Sequence, residues 1–212
     1  MSEVIIFGMP QSTFVRSARL GCEEKGAAHV VEPMMPDQLR ESGRHPFGRM
    51  PAMEHEGFRL FESSAILRYL DRTFGGPALE PADPKQALVS RQWESALHDY
   101  LLPTLGRRYI LQYVFPKGAD GQPDRTVIDP AVEELRRNFA VLSEALAEGP
   151  FFFGADPAIP DLLLAPPLAY IEGLPEGPDL LAGAPPLQRL LDAMKARDSF
   201  QRTVPPPLPE AA

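Results

Sequence analysis

"HPFGRMPAMEHEGFRLFESSAI", residues 45–66, decides the fold of this chain. Two short apolar segments flank the pair Glu56-Gly57, a pattern that predicts an antiparallel hairpin. Pro51 stands at the start of the first segment, and a proline there indicates either a cis peptide bond or an edge strand. After the second segment, Glu62-Ser63-Ser64 opens a run with helical spacing. The stretch therefore predicts a ββα unit.

The residues before this stretch predict a βαβ unit. Residues 3–8, EVIIFG, are apolar and β-branched, as in a buried strand. A helical pattern follows, with Ser12 as its N-cap and Gly26 at its end. Residues 27–32, AAHVVE, form a second predicted strand, parallel to the first because the connection is a helix. A short helix, PDQLRESG, leads to the hairpin, so the order βαβ-α-ββα predicts a mixed four-stranded sheet.

The remainder of the chain predicts helices. A linker at residues 77–84 ends in Asp83-Pro84, which combines an N-cap residue with proline at the first helical position. This helix is predicted to kink at Pro103 and to end near Val114. The residues predicted to face inward along it are Leu88 or Val89, Trp93, Leu97, Tyr100 and Leu101.

Four more helices are predicted beyond this one. One begins at Asp129-Pro130 and buries Leu135, Phe139, Leu142 and Leu146. Residues 161–171 are almost wholly apolar, which indicates a helix that is buried on every side. Two shorter helices are predicted near residues 178–182 and 186–197. The predicted domains are thus an α/β domain at 1–76 and an all-α domain at 85–212.

Composition narrows the classes of function. The formal net charge of −8 disfavours nucleic acid and anionic membrane as partners, because binding to phosphates needs a basic surface. A single cysteine, Cys22, excludes an internal disulfide and suits the cytoplasm. The sequence has no apolar run of about 20 residues and no N-terminal signal pattern. The four histidines lack the spacing of a metal site.

Residues around the hairpin suggest a site for a small peptide. A reversal of the chain at Pro51 would leave the backbone N–H and C=O of Met50 free to pair with an added strand. At the junction of strand and helix, free N–H groups bind carboxylates, and Glu62 is suited to bind an ammonium group. An α-amino acid head carries both charges. The alternative is that Ser63 is simply the N-cap of the helix.

Together these motifs resemble the soluble glutathione transferase family. HPFGRMPA resembles that family's NPFGxVPA loop, FESSAI resembles its strand-to-helix junction, and GMPQSTFVR (residues 8–16) resembles the phi-type opening. The resemblance spans essentially the whole chain and implies a thioredoxin-like N-terminal domain followed by an all-helical one. Three departures stand out: His45 replaces Asn, Met50 replaces a β-branched residue, and Ala158 replaces a Ser or Thr N-cap.

The resemblance also implies where glutathione binds. The tripeptide is expected to lie beside Pro51, with its cysteinyl backbone paired to the main chain of Met50 and its γ-glutamyl head at Glu62 and Ser63. Arg49 is placed to reach its carbonyl or carboxylate oxygens. For the glycyl carboxylate three candidates stay open: Gln38, Arg40 and His45.

Ser12 is the residue that the resemblance assigns to catalysis. Its hydroxyl, at the N-terminus of the first helix, is expected to donate a hydrogen bond to the thiolate. Thr13 is the rival hydroxyl, and Arg16 adds positive potential if its side chain points inward. Cys22 is predicted to be part of the core. The electrophile is expected between the domains, against Met9, Pro10, Arg108, Tyr109, Gln112 and Tyr113.

The implied function is conjugation of glutathione to a small apolar electrophile in the cytoplasm, without a metal. Two alternatives remain open: another glutathione-dependent reaction (peroxide reduction, isomerisation, dehalogenation or ether cleavage), and a non-catalytic protein that binds ligands or a partner. The resemblance also implies a homodimer, with Arg68, Asp71 and Arg72 on the helix that faces the partner.

Overall fold

Four strands form one mixed sheet near the N-terminus, in the computed structural model of residues 2–146 and 149–207. Their order is β2-β1-β3-β4, with β1 parallel to β2 and antiparallel to β3, and with β3 and β4 forming the hairpin. Glu56 and Gly57 both have positive φ in the hairpin turn, as a two-residue turn of type I′ requires. The predicted βαβ-α-ββα order is therefore confirmed. The strands are β1 (Val4–Phe7), β2 (His29–Glu32), β3 (Ala52–His55) and β4 (Phe58–Phe61).

Three helices cover this sheet: α1 (Thr13–Glu24), α2 (Pro36–Glu41) and α3 (Ser63–Thr73). Apolar residues of α1 and α3 pack on one face of the sheet, and Leu39 of α2 packs with Phe7 and Ala52 on the other. Cys22 lies in the first of these clusters. Burial raises the pKa of its thiol to about 12, so the thiol stays protonated and inert. Its predicted place in the core is confirmed.

Helices dominate the second compact unit, Asp83–Met194. The first of them starts as predicted, because Asp83 accepts a hydrogen bond from the Gln86 N–H at 2.9 Å. Two π-helical segments, Leu97–Leu101 and Pro103–Ile110, continue it past Pro103 to a last turn that ends at Val114. The α-helices of this part of the chain are α4 (Pro84–Ala96), α5 (Leu111–Val114), α6 (Arg125–Leu146), α7 (Ile159–Ile171), α8 (Gly177–Ala182) and α9 (Pro185–Lys195).

Along α4 and the π-helical segment after it, the predicted inner residues Leu97 and Leu101 are buried, but others predicted with them are not. Leu88 and Tyr100 are 64% and 70% exposed, and Val89 is exposed as well. The residues that are buried are Ser90, Glu94, Leu97 and Leu101. Ser90 donates a hydrogen bond to Glu94 at 3.5 Å, so a polar pair occupies part of the inner face. The spacing of apolar residues does not reveal this pair, because polar side chains that bond to each other can also be buried.

Helix α6 begins one turn before the predicted start. Asp124, rather than Asp129, accepts the hydrogen bond of the first turn, from the Thr126 N–H at 2.9 Å. Pro130 lies inside the helix. The four residues predicted to face inward are buried.

Helix α7 is buried along nearly its whole length, as predicted. Ala158 at its N-cap makes no side-chain bond. Instead, Asp161 accepts hydrogen bonds from the backbone N–H groups of Ala158 at 2.8 Å and Phe152 at 3.1 Å. Burial raises the pKa of its carboxyl to about 7. Asp161 thus replaces the missing cap, and it also anchors the loop before the helix.

The described residues after 194 group with the N-terminal part of the chain, which corrects the predicted range 85–212. Helix α10 (Asp198–Arg202) lies in this segment. Arg197 binds Glu24 through two hydrogen bonds, at 2.8 and 2.7 Å. The Arg16 guanidinium lies 3.9 Å from the ring centroid of Phe200 and donates to the Phe200 carbonyl at 3.1 Å. Ion pairs and a cation–π contact hold residues 195–207 on α1.

Candidate functional site

The loop between β1 and α1 lies against Met50. Gly8 has φ +141, and a Cβ at this position would lie 2.7 Å from both Met50 Cβ and Val15 Cγ2. The Met9 N–H points to Met50 Sδ at 3.4 Å. A side chain at residue 8 would separate these segments, so Gly8 permits their close approach.

Ser12 is the N-cap of α1, as predicted. Its backbone is extended, and its Oγ accepts a hydrogen bond from the Val15 N–H at 3.4 Å. A hydroxyl that accepts through a lone pair keeps its proton for a second partner. Thr13 is already inside the helix. Ser12 therefore combines a free donor proton with the positive end of α1.

The peptide bond between Met50 and Pro51 is cis. The strand after it, β3, lies between β1 and β4 in the sheet, so the edge-strand alternative does not apply. Pro51 is buried and Met50 is half-buried.

Glu62 occupies the N-cap position of α3. It has φ +70 and makes no cap bond with its side chain, and 57% of that side chain is exposed. Ser63 is the first residue of the helix and is buried. The alternative in which Ser63 is the N-cap is therefore wrong. Glu62 leaves its carboxylate available to solvent or to a ligand.

His45 is buried, with 1% of its surface exposed. Its Nδ1 accepts a hydrogen bond from the Phe47 N–H at 3.2 Å, and its Nε2 lies 3.8 Å from Glu62 Oε1. Burial lowers the pKa of the imidazole, which favours the neutral ring. His45 is therefore the least accessible of the three candidates for the glycyl carboxylate, since Gln38 and Arg40 are both exposed.

Arg40 is exposed on α2 and is a second candidate for that carboxylate. Its Nη2 would lie 2.8 Å from a Cβ at Gly48, which has φ +57, so the guanidinium lies beside the HPFG loop. Arg40 also forms a 3.3 Å ion pair with Asp37 on the surface of α2. Gln38 uses its Oε1 to accept from the Met35 N–H at 2.7 Å. Arg49 is exposed.

Arg44 is a residue of this loop that the sequence did not single out. Its guanidinium carbon lies 4.3 Å from the ring centroid of Phe7 at the end of β1. The contact links the HPFG loop to the sheet by a cation–π interaction. A lone arginine beside the motif carries no sequence signal for such a contact.

The other arginine predicted near the thiol, Arg16, is directed elsewhere. Its guanidinium is bound to Phe200, and burial lowers its pKa to about 10. The structure therefore does not support the expectation that Arg16 adds positive potential at the thiol site.

Four of the residues predicted to bind the electrophile have partners within the second unit. Tyr109 is fully buried, and its hydroxyl donates to Glu176 at 3.1 Å. Tyr113 donates to the same carboxylate at 2.6 Å. Arg108 binds Glu134 at 2.6 Å, and the Gln112 amide donates to the Arg107 carbonyl. The assignment of Tyr109 is corrected, because a fully buried ring is not accessible to a substrate. Met9 and Pro10, in the first unit, are half-buried.

Glu176 and its donors form a compact network. Besides the two tyrosines, Arg125 binds Glu176 Oε1 at 2.5 Å. These hydrogen bonds lower the pKa of Glu176 against the opposing effect of burial. Burial and the Glu176 carboxylate raise the pKa of Tyr113 to about 12. Both tyrosines therefore remain hydrogen-bond donors at neutral pH.

Among residues 2–146 and 149–207, no three His, Cys, Asp or Glu side chains are grouped in a way that could hold a metal ion. In the same residues, every helix is too short or too polar to span a bilayer.

Family models and known proteins match this chain over most of its length. Residues 6–78 match the model "Glutathione S-transferase, N-terminal domain" and residues 125–193 match "Glutathione S-transferase, C-terminal domain". Glutathione S-transferase 3 of Zea mays is 28% identical, over 98% of each chain. A homologue of stringent starvation protein A from Pasteurella multocida is 25% identical, over 96% of this chain and 91% of its own.

A solved structure also superposes on nearly the whole chain. The theta class glutathione S-transferase of Xanthomonas axonopodis pv. citri, determined with glutathione bound, is 26% identical, with a TM-score of 0.81 over 96% of this chain and 98% of its own.

Proposed function

Because the chain belongs to the glutathione S-transferase family, we propose that it binds glutathione and activates its thiol for attack on a small apolar electrophile. The observation that carries this proposal is the contact between the Ser12 loop and Met50, made close by Gly8. A tripeptide paired to the main chain of Met50 would present its sulfur to the Ser12 hydroxyl.

Three groups are proposed to fix the rest of the tripeptide. Glu62 binds the γ-glutamyl ammonium, since its carboxylate is exposed and makes no cap bond. The backbone N–H groups at the start of α3, at Ser63, bind the γ-glutamyl carboxylate. Arg40 binds the glycyl carboxylate, because its guanidinium lies beside Gly48 in the same loop. Arg49, on the exposed side of that loop, contributes positive charge.

Activation of the thiol requires stabilisation of its anion. A free thiol with a pKa near 8.5 is only slightly ionised at neutral pH. A decrease of about two units corresponds to roughly 2.7 kcal/mol in favour of the thiolate. One charge-assisted hydrogen bond from Ser12, together with the N-terminus of α1, is of that size. The thiolate then attacks carbon, a C–S bond forms, and the leaving group departs with the bonding electrons.

Binding of the electrophile is proposed to involve Met9 and Pro10, which flank the Ser12 loop. Arg108, Gln112 and Tyr113 remain candidates with partly exposed side chains. A further proposal is a homodimer, supported by Leu88, Val89 and Tyr100, whose apolar surface is exposed on the helical unit. The cytoplasm is the proposed location, since it supplies glutathione and suits a chain with one buried thiol.

Three residues of α3 were expected to face a dimer partner, and they differ in their contacts within the chain: Arg68, Asp71 and Arg72. Asp71 binds Lys25 at 2.9 Å and caps the Leu79 N–H, and Arg68 binds Glu80. Arg72 has 65% of its side chain exposed. It is the member of this set that we propose for contact with a partner.

One observation favours a second candidate function. The similarity to a stringent starvation protein A homologue, whose name does not specify a transferase, supports a non-catalytic member that binds ligands or a partner.

Conjugation of an aryl halide separates the two candidates. The wild-type protein is expected to turn over, Ser12→Ala to lose about 100-fold or more in kcat, and the matched control Thr13→Ala to keep near wild-type activity. Binding to immobilised glutathione without turnover on a panel of electrophiles that includes hydroperoxides would favour the non-catalytic candidate. Turnover only on hydroperoxides would instead assign a peroxidase.

A further inference from the structure

His45 lies next to the proposed ammonium ligand, Glu62, with its Nε2 3.8 Å from Glu62 Oε1. We propose that His45 is a positioning residue that holds the Glu62 carboxylate for the γ-glutamyl ammonium and thereby selects ligands that carry this group. The inference rests on the proposed binding of glutathione.

The hydrogen bond that Nδ1 accepts indicates which ring nitrogen of His45 carries the proton. Nδ1 accepts from the Phe47 N–H at 3.2 Å, so in a neutral imidazole the proton is on Nε2. Nε2 lies 3.8 Å from Glu62 Oε1. The ring nitrogen that carries the proton is therefore the one near the carboxylate, and their separation is longer than a hydrogen bond. Hydrogen bonds in functional sites are often long without ligand and tighten when it binds.

The ring itself is fixed on several sides. Its centroid lies 4.7 Å from that of Phe61 and 6.3 Å from that of Phe47. The backbone N–H of His45 donates to the Leu39 carbonyl at 3.1 Å. Because the side chain is also buried, it cannot move toward other partners without disturbing this packing.

Glu62 has few restraints of its own. Its backbone is fixed at φ +70 by the turn into α3, but its side chain makes no cap bond and is 57% exposed. A free glutamate side chain loses rotamer entropy when it binds a cation. If His45 donates to one carboxylate oxygen of Glu62, these rotamers are already restricted before the ligand binds. The other oxygen stays available for the ammonium group.

His45→Asn is the informative variant. Its Oδ1 can replace Nδ1 as the acceptor for the Phe47 N–H, but it has no atom in the place of Nε2. We expect the KM and Kd for glutathione to rise roughly three- to tenfold, with kcat at saturation and the KM for the electrophile within about twofold of wild type. In a Glu62→Gln background the same change is expected to have little further effect.

A glutathione analogue that lacks the α-amino group distinguishes positioning from general damage to the site. Its Kd is expected to be the same for wild type and His45→Asn, because it has no ammonium for Glu62 to bind. An equal loss of affinity for the analogue and for glutathione would overturn the inference. So would an unchanged Kd for glutathione in His45→Asn.

A measurement on the wild-type protein keeps the inference testable if His45→Asn does not fold. Long-range proton–nitrogen NMR of the histidine rings is expected to show His45 protonated on Nε2, and to show this nitrogen shifting with glutathione but not with the analogue. Protonation on Nδ1 would contradict the inference. A wild-type protein that binds no glutathione overturns the proposed function together with this inference, whereas tight binding with an unresponsive His45 overturns the inference alone.

Discussion

Gly8 and Met50 approach so closely that a methyl group on Gly8 would lie 2.7 Å from the Cβ of Met50. Carbon atoms that are not bonded pack at about 3.5–4.0 Å. Residue 8 is therefore glycine for two reasons: this contact and a φ of +141. The contact connects the loop that carries Ser12 to the segment proposed to bind the backbone of glutathione.

Gly8→Ala is expected to destabilise the protein by about 3 kcal/mol or more, since it combines a clash with a disfavoured backbone. Turnover is expected to fall more than tenfold, because the Ser12 loop and Met50 must separate. Urea unfolding and aryl halide conjugation measure the two effects.

Gly57→Ala is a control for a positive φ without a clash, at φ +78 instead of +141. Gly57 also has positive φ, but a Cβ there meets nothing within 4 Å. We expect it to lose only about 1 kcal/mol and to keep its activity. Equal behaviour of the two variants would mean that the contact with Met50 is unimportant.

Arg40→Ala is expected to raise the KM for glutathione roughly tenfold with little change in kcat, because it removes a charged partner of the glycyl carboxylate. Arg59→Ala is a suitable control, since Arg59, on β4, is similarly exposed and pairs with Glu54 on β3. The two variants change the net charge equally. A similar rise in KM for both would indicate a general effect of charge and not a specific contact.

Asp161→Ala is expected to destabilise the protein by about 2–5 kcal/mol, because two buried N–H groups lose their acceptor. Chemical unfolding measures the loss, and Asp83→Ala, which removes an exposed N-cap on α4, is expected to lose only about 1 kcal/mol. Equal losses of stability would show that burial does not strengthen the contribution of the Asp161 hydrogen bonds.

Asp161 also predicts how stability depends on pH. Its folded-state pKa of about 7 lies above the value of about 3.9 expected in the unfolded chain. Between these values the folded state binds more protons than the unfolded state, so the contribution of Asp161 to stability is greatest below about pH 4 and declines as pH rises toward 7. Asp161→Asn is expected to have a flatter profile over this window. Parallel profiles for wild type and Asp161→Asn would contradict the assignment.

Local sequence signals predicted much of the fold because they act over a few residues. Glu56-Gly57 specifies its own turn, and Asp83-Pro84 specifies a helix start. Where two such signals compete, the local pattern is ambiguous: Asp124 and Asp129 both resemble caps, and the structure uses Asp124.

Features that depend on tertiary contacts could not be predicted from local sequence patterns. The burial of His45 and Tyr109 depends on partners distant in sequence, such as Glu62 and Glu176. The two residues therefore resembled surface ligands. The attachment of residues 195–207 to α1 likewise relies on the pairing of Arg197 with Glu24, which no spacing rule reveals.

The most direct test of the central claim is the pKa of the thiol of bound glutathione, measured by ultraviolet absorbance of the thiolate. For the wild-type protein we expect a value about two units below the free thiol's 8.5, and for Ser12→Ala a return toward 8.5, with Thr13→Ala resembling wild type. A bound thiol in the wild-type protein that titrates like free glutathione would contradict the account.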